Sequence, residues 1–188
     1  MKAALNTSRV LQIIAGISLN GKITDASGSF SKISSPEDQA WLQKKIRDSD
    51  VLIMGRKPEA QHAGKIKKPI IIMSRKKSAL RHFFSGSSKD LMRLLDQMKV
   101  RKVSILGGAQ IYHWCVRHHI ATDIFLTIEP ILIGEGKNFL EGIVFERPAI
   151  WTLKSVAHLN ARGTILLHYS RPYSGGTDGT RTRDLPRD

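Results

Sequence analysis

Residues 103–110 have the sequence Val-Ser-Ile-Leu-Gly-Gly-Ala-Gln. The first four form a short, mainly apolar run that is typical of a buried β-strand, and the glycine pair ends it. A helix is predicted to begin at Ala109 and to continue to about His118. Glycines at this position let backbone N–H groups approach a pyrophosphate, so the stretch predicts a strand–helix unit with a phosphate site. A glycine pair alone more often forms a plain tight turn, and this one is not the G-x-G-x-x-G fingerprint.

The preceding and following residues repeat this alternation of strand and helix. Further buried strands are predicted at residues 9–18, Val51–Met54, Pro69–Met73 and Asp123–Glu129. A helix is predicted from Ser35, as N-cap, to about Asp48, because proline and two acids follow the serine. Another helix is predicted from Lys89 to Met98, where leucines recur at helical spacing.

The last third of the chain has a different pattern. Two strand-like runs, Ile150–Leu159 and residues 164–169, are joined by a turn at Asn160–Gly163, which predicts an antiparallel hairpin. The chain is therefore expected to adopt an α/β fold with a mainly parallel central sheet and an antiparallel C-terminal hairpin.

The composition fits one globular domain. The chain has 188 residues, of which 41% are hydrophobic, enough to build a core. No apolar run reaches the roughly 18 residues that a membrane span needs, and the single cysteine, Cys115, cannot form an internal disulfide. We expect a cytoplasmic protein without a membrane partner. The domain is placed at residues 1–171, and residues 172–188, which are poor in apolar side chains, are expected to form a disordered tail.

The net charge of +14 has two interpretations. It could indicate nucleic-acid binding. The basic residues, however, occur in scattered clusters between apolar strands, which favours a solvated basic surface suited to a phosphorylated ligand. Nucleic acid is therefore unlikely as a partner but stays open as the rival.

Three predicted strands end in glycine or in polar and basic residues. Gly55-Arg56-Lys57 follows the second strand, Ser74-Arg75-Lys76 the third, and the glycine pair the fourth. In open α/β sheets, ligands lie beyond the carboxyl ends of the strands. Basic side chains there can hold an additional phosphate, so the pattern predicts NADPH in preference to NADH.

No metal site is expected. His113, Cys115, His118 and His119 lie close together on one predicted helix, so a site is conceivable. No carboxylate joins them, and packed or exposed histidines are the commoner outcome.

Five motifs occur in order: Ile-Ala-Gly-Ile-Ser-Leu-Asn-Gly-Lys-Ile at 14–23, Ser-Pro-Glu-Asp at 35–38, Ile-Met-Gly-Arg-Lys at 53–57, Leu-Gly-Gly-Ala-Gln-Ile-Tyr at 106–112 and Glu-Pro-Ile-Leu-Ile-Gly-Glu-Gly at 129–136. Over residues 9–170 the chain resembles the dihydrofolate-reductase-like superfamily. It is most similar to the C-terminal reductase domain of the riboflavin-biosynthesis deaminase–reductase proteins (RibD). The resemblance implies a three-layer α/β/α fold, a homodimer, and an NADPH-dependent reductase that passes hydride to a small pyrimidine- or pteridine-like substrate.

The resemblance also implies site residues. The cofactor phosphates would be held by Gly55, Arg56, Lys57, Gly107, Gly108, Ala109 and Gln110. The adenosine 2′-phosphate would be surrounded by Ser74, Arg75 and Lys76, and the nicotinamide bordered by Ala15, Gly16 and Ile23. The substrate would face Asn20, Asp38 and Trp41, with Asp38 as the catalytic residue.

The chain departs from the family pattern at three places. Pro58 stands where a threonine is common, Asn20 replaces the usual aspartate, and residues 59–68 lack an Asp-x-Pro-x-Leu segment. These departures leave the cofactor site better supported than the substrate. The leading substrates are a ribosylamino-pyrimidine of riboflavin biosynthesis and dihydrofolate. The alternative from another class is a non-catalytic module that binds nucleotides or nucleic acid.

Overall fold

The computed structural model of the protein describes residues 9–28, 34–56, 66–74, 83–142 and 148–172. The strands are β1 (Val10–Ser18), β2 (Val51–Gly55), β3 (Ile70–Met73), β4 (Phe83–Phe84), β5 (Lys102–Ile105), β6 (Asp123–Glu129), β7 (Thr152–His158) and β8 (Ile165–Ser170). The helices described in full are α1 (Pro36–Arg47), α2 (Ser88–Gln97) and α3 (Ala109–Arg117).

The strands form an eight-stranded sheet in the order β4-β3-β2-β5-β1-β6-β8-β7. All neighbours from β4 to β6 are parallel, whereas β8 is antiparallel to both β6 and β7. This arrangement confirms the expected mainly parallel sheet with an antiparallel C-terminal hairpin.

Helices cover both faces of the sheet. Val51 and Ile53 of β2 lie in one apolar cluster with residues of α2 and α3, whereas Leu52 and Met54 lie in a second cluster with Ile46 of α1. Successive side chains of a strand point to opposite faces, so α1 packs on one face, and α2 and α3 on the other. The three-layer α/β/α architecture is therefore confirmed.

The start of α1 follows from local chemistry. The Ser35 hydroxyl accepts a hydrogen bond from the Asp38 N–H at 3.3 Å, and Pro36 is the first helical residue. A serine cap followed by proline satisfies or removes N–H groups that the first turn cannot pair internally. The cap thereby fixes Asp38 in the first turn, at the carboxyl edge of the sheet.

The hairpin edge of the sheet is uncovered. All seven residues of β7 are exposed, and the side chains of Leu153 and Val156 are 48% and 52% exposed. Both lie on the face that carries α2 and α3, since they pair with Tyr169 and Leu167 of β8. The fold therefore presents an apolar strip at one end.

Few elements differ from the sequence-based expectation. The short strand β4 was not predicted, and the ends of the other elements shift by one or two residues. The ends of the chain, 1–8 and 173–188, lie outside the described residues, so the tail and the domain boundaries stay predictions. None of the helices in the described ranges combines the length and the apolar composition needed to cross a membrane.

Candidate functional site

The carboxyl ends of β2, β5, β1 and β6 lie side by side at one edge of the sheet. Two backbone hydrogen bonds join β2 to the residues after β5: Gly55 N–H to the Gly107 carbonyl at 2.7 Å, and Leu106 N–H to the Ile53 carbonyl at 2.8 Å. On the other side of this edge, Ser18 at the end of β1 lies opposite Glu129. Since ligands of open α/β sheets bind beyond such an edge, it is the candidate site.

The two glycines after β5 have different surroundings. Gly107 has a φ of +91°, and a Cβ there would lie 2.6 Å from the Tyr112 ring, so the position requires glycine. The Tyr112 hydroxyl donates to the Ile14 carbonyl at 2.7 Å, which ties α3 to β1. The peptide bond between Gly107 and Gly108 is cis.

Gly108 is the N-cap of α3 and leaves the start of this helix open. No atom lies within 4 Å of a Cβ built on it, and it has no capping side chain. The N–H groups of Ala109 and Gln110 have no hydrogen-bond partner among the described residues. Unpaired N–H groups and the helix dipole together favour an anion at this end of a helix.

The Asp38 carboxylate is buried next to the same edge. It is 4% exposed and accepts hydrogen bonds from the hydroxyls of Ser34 and Thr127. Burial raises the pKa of Asp38, the two hydroxyls oppose this change, and the charge of Glu129 adds to it. A carboxyl group in such surroundings holds its proton to a higher pH than an exposed aspartate, and it can exchange a proton or pair with ring N–H groups.

Glu129 is a second buried carboxylate, with 3% exposure. Its Oε1 accepts from the Ser35 N–H at 2.7 Å, and its Oε2 accepts from the Thr164 hydroxyl at 2.8 Å. Among the described residues, no cation forms a salt bridge with Asp38 or Glu129. Glu129 therefore links the N-cap residue of α1 and the β7–β8 turn to β6. Its charge also acts on Asp38.

The three residues predicted to border the nicotinamide have different positions. Gly16 lies directly opposite Thr127 in the β1–β6 ladder, beside the Asp38 carboxylate. Ala15 is 5% exposed and Ile23 is 7% exposed, and the Ile23 N–H donates to the Lys137 carbonyl at 2.8 Å. Gly16 thus belongs to the surroundings of Asp38, whereas the other two pack into the core.

Trp41 and Asn20, both predicted to face the substrate, differ in their contacts. Trp41 is half-buried, one turn after Asp38, and its ring centroid lies 5.4 Å from that of Phe125. The Asn20 amide donates to the Ile133 carbonyl at 2.7 Å and accepts from the Ile133 N–H at 3.2 Å. The structure brings Trp41 together with Asp38 and shows the Asn20 amide holding the loop after β6.

The residues predicted around the adenosine end are described only in part. Arg56 is exposed directly after β2, and Ser74 directly after β3 donates its N–H to the Phe84 carbonyl at 2.9 Å. Because β2 and β3 are adjacent and parallel, Arg56 and Ser74 lie at the same edge as the glycine pair. Lys57, Arg75 and Lys76 lie outside the described residues.

Cys115 and His113, two of the residues considered above for a metal site, lie on α3 and have different surroundings. Cys115 is buried, which raises the pKa of its thiol to about 12. The His113 ring contacts the Glu141 carbonyl at 3.0 Å. Within the ranges that the structure describes, no three His, Cys, Asp or Glu side chains are grouped as a metal site.

Sequence reasoning missed Thr127, Glu129 and Ser34. A signal for the first two exists in β6, where Asp123, Thr127 and Glu129 fall at odd-numbered positions and so share one face of a strand. Buried polar side chains need partners, so their presence in an internal strand indicates a polar site. Ser34 carries no comparable signal, since it lies outside any predicted element.

Comparison with protein families matches the chain to the RibD C-terminal domain over residues 9–165. A comparison with curated protein sequences finds no match.

Solved structures share the fold at low sequence identity. One is a protein of Shewanella sp. PV-4 that is provisionally described as a riboflavin biosynthesis protein. It has 16% identity and a TM-score of 0.75, and the match covers 87% of this chain and 99% of that one. A pyrimidine reductase-like protein of Corynebacterium diphtheriae has 15% identity and a TM-score of 0.70, with coverages of 86% and 91%.

A larger protein also contains this fold. The diaminohydroxyphosphoribosylaminopyrimidine deaminase/5-amino-6-(5-phosphoribosylamino)uracil reductase of Thermotoga maritima has 14% identity and a TM-score of 0.70. The match covers 87% of this chain but 57% of that one. The described fold therefore corresponds to a part of the Thermotoga protein.

Proposed function

This chain belongs to the RibD C-terminal domain family, and we propose that it is an NADPH-dependent reductase of a small heterocycle. One observation carries the proposal: the buried Asp38 carboxyl group lies at the same strand edge as the open N-terminus of α3. The Asp38 carboxyl group suits a ring that is rich in N–H groups, and the N-terminus of α3 suits a phosphate. Family membership supports a reductase of the type that acts in riboflavin biosynthesis.

The residues at this edge fit a dinucleotide phosphate. The N–H groups of Ala109 and Gln110, unpaired among the described residues, would hold the pyrophosphate, and no described residue crowds a Cβ built on Gly108. Arg56 and Ser74, with Arg75 and Lys76 by sequence, would hold the 2′-phosphate by charge-assisted hydrogen bonds. When bound, NADPH supplies the hydride, and the chain supplies its orientation.

The residues around Asp38 fit the other half of the reaction. In its ionised form the carboxylate accepts N–H bonds from a pyrimidine or pteridine ring, and in its neutral form it donates a proton to a ring nitrogen. Thr127 and Ser34 orient the group, and Trp41, one turn further along α1, packs against Phe125 on the same side of the sheet. We propose a ribosylamino-pyrimidine as the first candidate substrate and dihydrofolate as the second. The order follows the description of the Thermotoga protein as a 5-amino-6-(5-phosphoribosylamino)uracil reductase.

Cofactor choice is the first test. NADPH should bind more tightly than NADH by about 10- to 150-fold, the equivalent of one charge-assisted bond of about 1.5–3 kcal/mol. Arg75→Ala should remove most of this difference, while Arg117→Ala, in the last turn of α3, should leave it unchanged. Dissociation constants from nucleotide fluorescence decide the matter, and equal affinities for both nucleotides would reject the 2′-phosphate site.

We also propose that the chain forms a homodimer through the hairpin end of the sheet. The support is the exposed apolar strip of Leu153 and Val156 on an edge strand whose residues are all exposed. Exposed edges and apolar strips of this kind are normally covered in a stable assembly. A second copy of the hairpin is a self-complementary cover for it.

A further inference from the structure

Five basic residues lie at the amino edge of the sheet, opposite to the candidate site. They are Lys44 and Arg47 in the last turn of α1, Lys68 just before β3, and Arg101 and Lys102 at the start of β5. We call them the amino-edge cluster.

Contacts around Asp50 show that these elements come together. The Asp50 N–H donates to the Lys102 carbonyl at 2.9 Å. The charges of Lys68 and Lys102 both act on Asp50, and the charges of Lys102 and Lys44 both act on Lys45. The cluster is therefore one continuous surface built from α1, β5 and the segment before β3.

The nearby acids do not neutralise this surface. Asp50 Oδ2 accepts the backbone N–H groups of Arg101 and Lys102, each at 2.8 Å, so it holds the backbone and leaves the side chains free. No side chain of the cluster forms a salt bridge within the described residues. Lys45 is not counted in the cluster, because it is half-buried and its Nζ lies 3.8 Å from the centre of the Phe125 ring. Asp48 and Asp50 offset part of the charge of the five cations, and the surface keeps a net positive charge.

The cluster is too distant to serve the proposed cofactor site. Asp38 is in the first turn of α1, whereas Lys44 and Arg47 are in its last turn. A helix of 12 residues is about 18 Å long at 1.5 Å per residue. Arg101 and Lys102 likewise lie at the start of β5, whereas the glycine pair follows its end. The positive charge here is available to a different anion.

We propose that the amino-edge cluster binds the phosphate backbone of a nucleic acid, apart from the reductase site. Its charges come from separate elements along an open edge, which suits successive phosphates of an extended polymer. An anionic membrane fits less well, because interfacial binding needs exposed apolar side chains beside the charges. Val10 pairs with Lys102 but is only 37% exposed, whereas the far more exposed Leu132 and Ile150 lie after the carboxyl end of β6 and just before β7.

The test is fluorescence anisotropy of the full chain with a labelled single-stranded RNA of about 20 nucleotides, a length that offers more phosphates than the cluster has cations. Single-stranded binding releases about 0.7 counterions per phosphate contact, so five contacts predict a slope of about 3.5 for log Kd against log salt. Saturating NADPH should leave the Kd unchanged, because the cluster lies at the opposite edge. Displacement of the RNA by NADPH would assign binding to the cofactor site and overturn the proposal.

A matched pair of variants separates the cluster from the overall charge. Arg101→Gln with Lys102→Gln removes one arginine and one lysine from the cluster, and leaves the backbone N–H groups that hold Asp50. Arg93→Gln with Lys89→Gln removes the same charges from α2. We expect the first pair to weaken RNA binding about tenfold and to lower the salt slope by about 1.4, and the second to change neither.

Two further outcomes would overturn the assignment. Equal weakening by both pairs would mean that the net charge, and no particular surface, attracts the RNA. Binding to phosphatidylserine-containing vesicles, but not to RNA at the same salt concentration, would identify a membrane surface. Thermal unfolding of each double variant verifies that the fold is retained.

Discussion

Asp38 is buried, and its hydrogen bonds only partly offset the free-energy cost of burying an ionised carboxylate. Because burial raises the pKa of Asp38 in the folded protein, ionisation of this group favours the unfolded chain. Stability is therefore highest below the ordinary aspartate pKa and is lost as pH rises through the raised value. A group that is kept at such a cost fits a role in binding or proton transfer.

The variant Asp38→Asn tests this linkage. As the pH rises from acidic to mildly alkaline, the difference in free energy of unfolding should move in favour of the variant, because the amide cannot ionise. Urea unfolding at several pH values measures it. Glu37→Gln is the control, since Glu37 is exposed and its pKa is lowered, chiefly by the hydrogen bond from Asn160. A constant difference between Asp38→Asn and the parent would contradict the account.

Glu129 should act on the reaction through Asp38. Glu129→Gln keeps an oxygen for the Ser35 N–H and removes the charge that raises the pKa of Asp38. The charge of Asp38 also acts on Tyr112 of α3, which burial keeps neutral. The alkaline limb of the kcat/KM profile should therefore shift to lower pH, with NADPH affinity unchanged. An unshifted profile would reduce Glu129 to a purely structural role.

The sequence showed part of this site. Asp38 could be placed because Ser35 and Pro36 define the helix start locally. The alternation in β6 marks Glu129 as a buried polar residue, but its bond to Ser35 could not be foreseen, because it joins residues 94 positions apart. The two hydrogen bonds between the Asn20 amide and the Ile133 backbone could not be foreseen either, since these residues are 113 positions apart.

At the level of elements, the strand–glycine–helix unit of β5 and α3 sets the geometry of the proposed cofactor site. The short, mainly apolar run of β5 and the glycine pair that follows it made this unit predictable. β4 was not predictable, because two residues carry no periodicity and its pairing with β3 comes from the tertiary fold.

The two glycines should respond differently to a methyl group. Gly107→Ala should lower the free energy of unfolding by about 1–3 kcal/mol, because the position has a positive φ and no room beside Tyr112. Gly108→Ala is the matched control and should cost less, since its φ is negative and the surrounding space is open. Urea unfolding of both variants compares them, and equal losses would contradict the packing argument.

At the level of the whole molecule, sheet order concentrates the two groups proposed to bind ligands at one edge, positive charge at the opposite edge, and exposed apolar residues at the hairpin. The alternation of strands and helices predicted the layers and the parallel sheet. It did not predict the distribution of charge, because neighbouring basic clusters in the fold are far apart in the sequence.

The proposed homodimer can be tested by introducing a charged side chain on one face of β7. Val156→Lys should shift the chain to monomer in sedimentation at micromolar concentration, because a charge would be buried against the partner. Ala157→Lys places the same charge on the other face of the strand and should leave the dimer intact. A parent protein that sediments as a monomer would contradict the dimer itself.

The most direct test of the reductase assignment follows the transferred hydrogen. The parent protein is incubated with NADPH that carries deuterium at both C4 positions of the nicotinamide and with the ribosylamino-pyrimidine substrate, and the product mass is measured. The account predicts one deuterium in the product for each NADPH consumed, with a loss of turnover in Asp38→Asn that leaves NADPH binding intact. NADPH binding without deuterium transfer to this substrate or to dihydrofolate would contradict it.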